Sequence, residues 1–312
     1  MKQFLIKSVL FAILPVLWAI FIFFVDPYDY FNHDMDWVSQ ETKKNTSYEL
    51  NLFTRTMISY HNNPTPFLLV GDSRTKGLPI SHIQTHTKDR YTSLAIPAAK
   101  VNEMIELIYF AHSVQPLEHV ITGFNFTMFN EYAYANRVGR MTDILQNPLL
   151  YIFNRPIASA SFYAVRGELT GIPVVREKPT KEQVWDTMMA EKPKHWFGRY
   201  QYSESLEKKI TDLSSFMKKN NIRWTVFLVP HYAELRSHIV EYGRQEDEKR
   251  FKALMKTLHA DVIDYDYDGP LTQNAENFDD PVHYNKQIGA QIIDEFWTEE
   301  FSLGRVLKKR EE

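Results

Sequence analysis

Pro66-Phe67-Leu68-Leu69-Val70-Gly71-Asp72-Ser73 is the stretch on which the fold turns. A short uninterrupted apolar run that stops at a glycine reads as a buried strand of a parallel sheet, because only a strand covered on both faces loses the apolar–polar alternation. Gly71 then permits a tight turn, which leaves Ser73 where the strand meets solvent. Four further stretches, mostly apolar with isolated polar residues, are candidate strands of the same sheet: Tyr91–Ile96, His119–Phe124, Trp224–Val229 and Asp261–Tyr265. Helical periodicity between and after them falls at Val101–His112, Ser203–Asn220, Glu246–Leu258 and Lys286–Glu299. Strands alternating with helices predict an α/β fold with a doubly wound, five-stranded parallel sheet, whose ligands bind at the carboxyl ends of the strands.

The chain of 312 residues is long enough to bury a sizeable core, and its 14% aromatic content argues for a packed globule. A formal net charge of -3, with cations scattered among acids, gives no basic face for nucleic acid. The absence of cysteine excludes disulfides, thiolate zinc sites and a cysteine nucleophile. At the N-terminus, Lys2 and Lys7 precede an uncharged run from Ser8 to Val25, closed by Asp26 and Asp29. About 18 residues at 1.5 Å each give roughly 27 Å, close to a bilayer's hydrocarbon thickness. Residues 1–25 are therefore expected to be a transmembrane anchor with its N-terminus inside and the body exported to the periplasmic or extracellular side. No small-residue cleavage site follows, which disfavours a removed signal peptide.

Residues 26–63 read as a polar, aromatic connector with a helix near Tyr48–Tyr60, residues 64–300 as the α/β domain, and residues 301–312 as a polar, solvated tail. The interval Glu131–Gln201, rich in aromatics and prolines, follows the carboxyl end of the third strand and is expected to fold over the binding face as a cap.

A serine hydroxyl becomes a competent nucleophile when a base takes its proton and a carboxylate orients that base. Asp280-Pro281-Val282-His283, some two hundred residues after Ser73, supplies both. A tight loop can bring the Asp280 carboxylate onto the imidazole, with Asp279 as the rival. Ser73 also fits a helix N-cap, and His283 a loop histidine beside a capping acid. Residues after Ser73 can begin a helix whose positive end would face an oxyanion. At the end of the third strand, Gly123-Phe124-Asn125 offers a side-chain amide as an oxyanion donor. His231, after the fourth strand, Gly123 and Arg74 are candidates to line the site; Arg74 and Lys76 are cations that either steer an anionic group or stand exposed at a helix start. His82 and His86 have a spacing that suits a metal on one helix face, but no third ligand with matched spacing lies nearby, so no metal and no cofactor is expected.

Together these residues resemble the SGNH, or GDSL-type, hydrolase superfamily. Its first block matches Gly71-Asp72-Ser73, its third Gly123-Phe124-Asn125, and its fifth Asp280–His283, over about residues 66–300. The resemblance implies strand order 2-1-3-4-5, Ser73 as nucleophile, His283 as base, Asp280 as orienter, and an oxyanion hole formed by the Ser73 amide and Asn125. The second block normally supplies a glycine amide. Here that stretch reads Ile96-Pro97-Ala98-Ala99, so Ala98 or Ala99 must serve; Phe126 also replaces the aspartate that usually follows the third block. An SGNH-like body on one anchor also resembles exported proteins that O-acetylate polysaccharides or assist D-alanylation of teichoic acid beside a membrane-bound O-acyltransferase partner. The implied function is an acyltransferase, most readily an O-acetyltransferase, that passes an acyl group from Ser73 to a carbohydrate or other hydroxyl acceptor. An esterase or deacetylase, and a non-catalytic envelope assembly module, are the alternatives.

Overall fold

The computed structural model describes residues 1–33, 35, 37–174 and 179–310, and for residues 2–10 the backbone alone. Along the chain, α1 (Lys2–Val25) and α2 (Gln40–Asn62) precede β1 (Phe67–Gly71), α3 (Ile80–His86), β2 (Tyr91–Ala95), α4 (Val101–Val114) and β3 (His119–Phe124). The helices α5 (Arg137–Gln146), α6 (Pro148–Ile152), α7 (Arg155–Thr170), α8 (Lys181–Phe197) and α9 (Glu204–Lys219) then lead to β4 (Arg223–Leu228). After it come α10 (Ala233–Glu241), α11 (Gln245–Thr257), β5 (Asp261–Asp264), α12 (Pro270–Gln273), β6 (Phe278–Asp280), β7 (His283–Tyr284), α13 (Lys286–Thr298) and β8 (Arg305–Lys308).

Two compact units result. The larger, Pro64–Asn136 with Lys178–Glu312, holds a six-stranded sheet of order β2-β1-β3-β4-β5-β8. Strands β1 to β5 pair in parallel, and β8 joins β5 antiparallel. The strands are buried: every residue of β3 lies in the buried interior, and Leu69, Ile121, Phe227 and Ile263 pack with Ile292 of α13 in one cluster. Trp224 is fully buried and donates its indole N–H to Thr122 Oγ1 at 2.9 Å, which satisfies its one polar atom.

The sixth strand corrects the expectation of five strands and a solvated tail. The Glu295 carboxylate accepts hydrogen bonds from the amides of Ser302, Leu303 and Gly304 (2.7, 2.6 and 3.0 Å), which fixes the turn after α13. Arg305 then reaches the fully buried Asp264 carboxylate at 2.7 Å, beside Lys252 at 3.0 Å. A buried carboxylate needs such partners, so the tail is drawn onto the sheet edge.

The smaller unit, Met1–Asn63 with Arg137–Glu177, is helical. The interval expected to form a single cap therefore divides: α5 to α7 group with α1 and α2, whereas α8 belongs to the sheet-bearing unit. Within the helical unit, Trp18 donates to the Ile152 carbonyl at 2.9 Å, and Val25 packs with Val38 and Ala164. On α1, Phe11, Leu14 and Leu17 are exposed. Among the described residues no helix is long and apolar enough to cross a membrane. The side chains of residues 8–10, the start of the expected span, lie outside the described ones.

Helix α13 lies close against the chain beyond Ser73. A Cβ at Gly289 would overlap the Gly77 carbonyl oxygen and come within 3.2 Å of Pro79 Cδ. Because a backbone atom cannot swing aside as a side chain can, Gly289→Ala should lower unfolding free energy by about 1–3 kcal/mol, read as a reduced urea midpoint with an unchanged slope.

Candidate active site

The turn after β1 is set by sterics and charge. A Cβ at Gly71 would overlap the Thr75 side chain, which also abuts Gly123 on the neighbouring strand, so hydrogen is the only substituent that fits at either position. Asp72 and Arg74 then lock to each other. The Arg74 amide reaches Asp72 Oδ1 at 2.9 Å, and its guanidinium donates to Oδ2 from Nε at 2.9 Å and Nη2 at 2.6 Å. Burial opposes ionisation of Asp72, but the charge and hydrogen bonds of Arg74 outweigh it and hold the carboxyl below its ordinary range. Arg74 is thus spent on structure: it is 4% exposed, and its other nitrogen meets His231. It still lines the cavity over the serine, with its guanidinium engaged by Asp72 and His231. Nor does a helix start at Ser73, because only the one-turn 3₁₀ segment Thr75–Gly77 follows. A favourable helix end at the serine is absent.

The base is held by a miniature ladder. Strands β6 and β7 pair antiparallel with Asp280 opposite His283, and Pro281-Val282 close the turn between them. Asp280 Oδ1 accepts the amides of Val282 and His283 at 2.9 and 3.0 Å. Its Oδ2 accepts Nδ1–H of His283 at 2.8 Å. Burial works against this carboxylate's charge, but the His283 bond and charge together with the two amides overcome it, so its pKa is lowered. With Nδ1 protonated, the Nε2 lone pair is left to accept the Ser73 hydroxyl, 2.7 Å away. Asp279, the rival orienter, is exposed. Two bonds anchor the loop: Tyr284 donates its buried hydroxyl to the Arg74 carbonyl at 2.7 Å, and the Tyr232 amide donates to Pro281 O at 3.0 Å.

At the end of β2 the chain turns through Ala98, whose φ of 53° is the left-handed region that glycine prefers. Ala99 gives its N–H to the Ile96 carbonyl at 3.2 Å, whereas the N–H groups of Ser73 and Ala98 take no partner among the described residues. Both residues line the same cavity, so of the two alanines Ala98 is the available donor. Asn125 is not available. Its amide hydrogens go to Asp266 Oδ2 at 2.9 Å and Val229 O at 3.2 Å, and its oxygen accepts Thr127 N–H at 2.9 Å, which fixes the amide's orientation. The expected oxyanion role of Asn125 is replaced by a structural one. Gly123 and His231 likewise lie beneath the site and do not line it: Gly123 abuts Thr75, and His231, 2% exposed, sits under Trp196.

The cavity over the serine measures about 170 Å³ and is walled by Ser73, Ala98, Lys100, Lys192, His195 and Trp196. Helix α8 contributes the last three, which sequence analysis did not single out. Their spacing at i, i+3 and i+4 is the signal that places them on one helix face. Burial, and then the charges of Arg74 and Lys100, lower the Lys192 pKa, with Asp280 opposing. A larger cavity, about 340 Å³, opens at the opposite, amino ends of the strands around His119 and Arg223. There burial, then Arg223 and Arg310, push His119 down to about 3, so it is neutral.

No family model and no curated protein sequence matches the chain. Solved structures overlap it loosely. They include a provisionally assigned acylhydrolase from Bacteroides fragilis, with 12% identity and a TM-score of 0.42 over 80% of this chain and 95% of that one. A GDSL-like lipase from Bacteroides thetaiotaomicron gives 12% and 0.40 over 80% and 96%. An acetyl xylan esterase gives 12% and 0.29 over 75% and 99%. Overlap of this quality decides nothing about chemistry, which rests on the site geometry.

Two outcomes follow from Asp280. Replacing it by asparagine removes the carboxylate that holds the His283 tautomer and should reduce turnover of an activated ester by about 10³–10⁴-fold, measured spectrophotometrically. Because its folded pKa is lowered, Asp280 adds stability above the unfolded carboxylate pKa of about 4, and that contribution fades as pH falls through the lower folded value. The gap in unfolding free energy between wild type and Asp280→Asn should narrow as pH falls below about 4, as followed by urea melts across pH.

Proposed function

We propose that this protein is an SGNH-type serine acyl-ester enzyme that passes an acyl group, in the first instance acetyl, through an acyl-Ser73 intermediate to a carbohydrate hydroxyl. The relay from Ser73 through His283 to Asp280 carries the proposal. His283 Nε2 takes the Ser73 proton as Oγ attacks the acyl carbonyl. The oxyanion that forms accepts the N–H groups of Ser73 and Ala98, and the intermediate collapses as His283 returns the proton to the departing alkoxide. In the second half the same nitrogen deprotonates the acceptor hydroxyl, whose oxygen attacks the acyl carbonyl, and as the bond to Ser73 Oγ breaks His283 returns that proton to Oγ and restores the free serine.

Hydrolysis follows the same path with water as acceptor. It has one specific observation in its favour: His283 is 30% exposed, so water reaches the acyl-enzyme unless the acceptor covers it. Lys100 and Lys192, both on the cavity wall, favour an acceptor that carries negative charge beside its hydroxyls, such as an acidic or phosphate-bearing envelope glycan. The charge pattern flanking Ser8–Val25 and the exposed apolar side chains of α1 support an anchored, exported setting, with a membrane-bound O-acyltransferase as donor partner.

Incubating the full chain in detergent with an activated acetyl ester, with and without an acidic oligosaccharide, tests this. Acetylated oligosaccharide is the expected product, free acetate alone would convert the assignment to esterase, and Ser73→Ala should lose about 10⁴-fold or more of either rate. Lys192→Gln should raise KM for an acidic acceptor by about tenfold, the equivalent of one charge-assisted hydrogen bond, and leave KM for a neutral one unchanged.

A further inference from the structure

On the flank of the larger unit, His82 and His86 project from consecutive turns of α3 toward Asp294 of α13. Both Nε2 atoms lie 2.7 Å from Asp294 Oδ1, and the three ligand atoms fall within 4.8 Å of one another. Asp294 is the third ligand that local spacing did not reveal, because more than two hundred residues separate it from the histidines. We propose that His82, His86 and Asp294 form a divalent transition-metal site, suited to Zn²⁺, that clasps α3 to α13.

Two imidazoles and one carboxylate suit zinc, whereas calcium and magnesium prefer oxygen-only sets. Bond lengths of about 2.0–2.2 Å in tetrahedral geometry separate neighbouring ligand atoms by about 3.3 Å, so the present 2.7 Å contacts need to open by only about half an ångström. The side chains are 32%, 21% and 45% exposed, which lets an ion enter and leaves its fourth position to water. Trp297 stacks on the His86 ring, centroids 5.7 Å apart and planes 21° from parallel, and fixes its orientation.

The location gives such an ion a purpose. Helix α3 closely follows the Ser73 turn, α13 begins three residues after His283, and the two segments already touch at Gly77 and Gly289. A metal between the helices ties the segment that carries the nucleophile to the one that carries the base. No catalytic step passes through it.

Full-length protein in detergent, stripped with a chelator, is titrated with ZnCl₂ by calorimetry, and its thermal unfolding is recorded with and without the metal. Saturable binding of one ion per chain with a raised Tm is expected, because a ligand that binds only the folded state stabilises it. His86→Ala and the near-isosteric Asp294→Asn should each weaken affinity about 100-fold or more, since even changes behind a ligand cost 10–100-fold. Asp294→Asn guards against a folding defect, as its metal-free Tm reports directly. Absence of saturable binding to the wild type, or undiminished binding in folded Asp294→Asn, would overturn the site.

Discussion

The hydrogen bond between Asp280 and His283 is the constraint from which the site's chemistry follows. One carboxylate oxygen accepts two backbone amides and the other accepts the imidazole Nδ1–H, so a single side chain shapes the β6–β7 turn and selects the tautomer. Nε2 is then an acceptor, and Ser73 stands where its hydroxyl can donate. The loop is useful only if it stays against the turn after β1. The Tyr284 hydroxyl on the Arg74 carbonyl and the close seating of α13 on Gly77 hold it there.

Beneath the reacting atoms lies a layer of buried charge that takes no part in proton transfer. Asp266 accepts from Asn125 and from the His231 amide and pairs with Arg236 at 3.3 Å, while Arg74 bridges Asp72 and His231. Burial opposes the charge of Asp266, but Arg236 and then His231 outweigh it and hold the carboxyl well below its ordinary range. Burial keeps His231 neutral, which lets its Nε2 accept from Arg74. Such a network is costly to desolvate, and removing one member strands the rest, so its value here is positional. It fixes the floor from which the Ser73 turn rises, and it explains why Asn125 and His231 sit beneath the cavity while Arg74, on its wall, is held by Asp72 and His231.

Local patterns made the central sheet legible. Phe67–Val70 is apolar throughout because both faces of its strand are covered, and it and His119–Phe124 each lie in a strand within a residue or two of the expected bounds. The strand-end serine and the Asp-x-x-His loop are each marked locally, but no local signal pairs Ser73 with His283; the order of the two motifs in the chain carries the resemblance that joins them. What escaped depends on distant partners. Asn125 resembles an oxyanion donor until Asp266, 141 residues on, claims its amide. The tail reads as solvated until Glu295 and Asp264 draw it onto β5. Lys192, His195 and Trp196 were hidden in an interval whose composition suggested a single cap, because nothing local marks where a chain leaves one unit for another. Between Ala98 and Ala99, only the backbone conformation separates a free N–H from a spent one.

The most direct test of an activated Ser73 is peptide-level mass spectrometry of the full chain after treatment with a fluorophosphonate, which couples to a serine oxygen only when a neighbouring base takes its proton. The account predicts one adduct per chain, on the peptide bearing Ser73, and none when His283 is replaced by alanine. An unmodified Ser73 in folded wild-type protein, or equal labelling without His283, would contradict it.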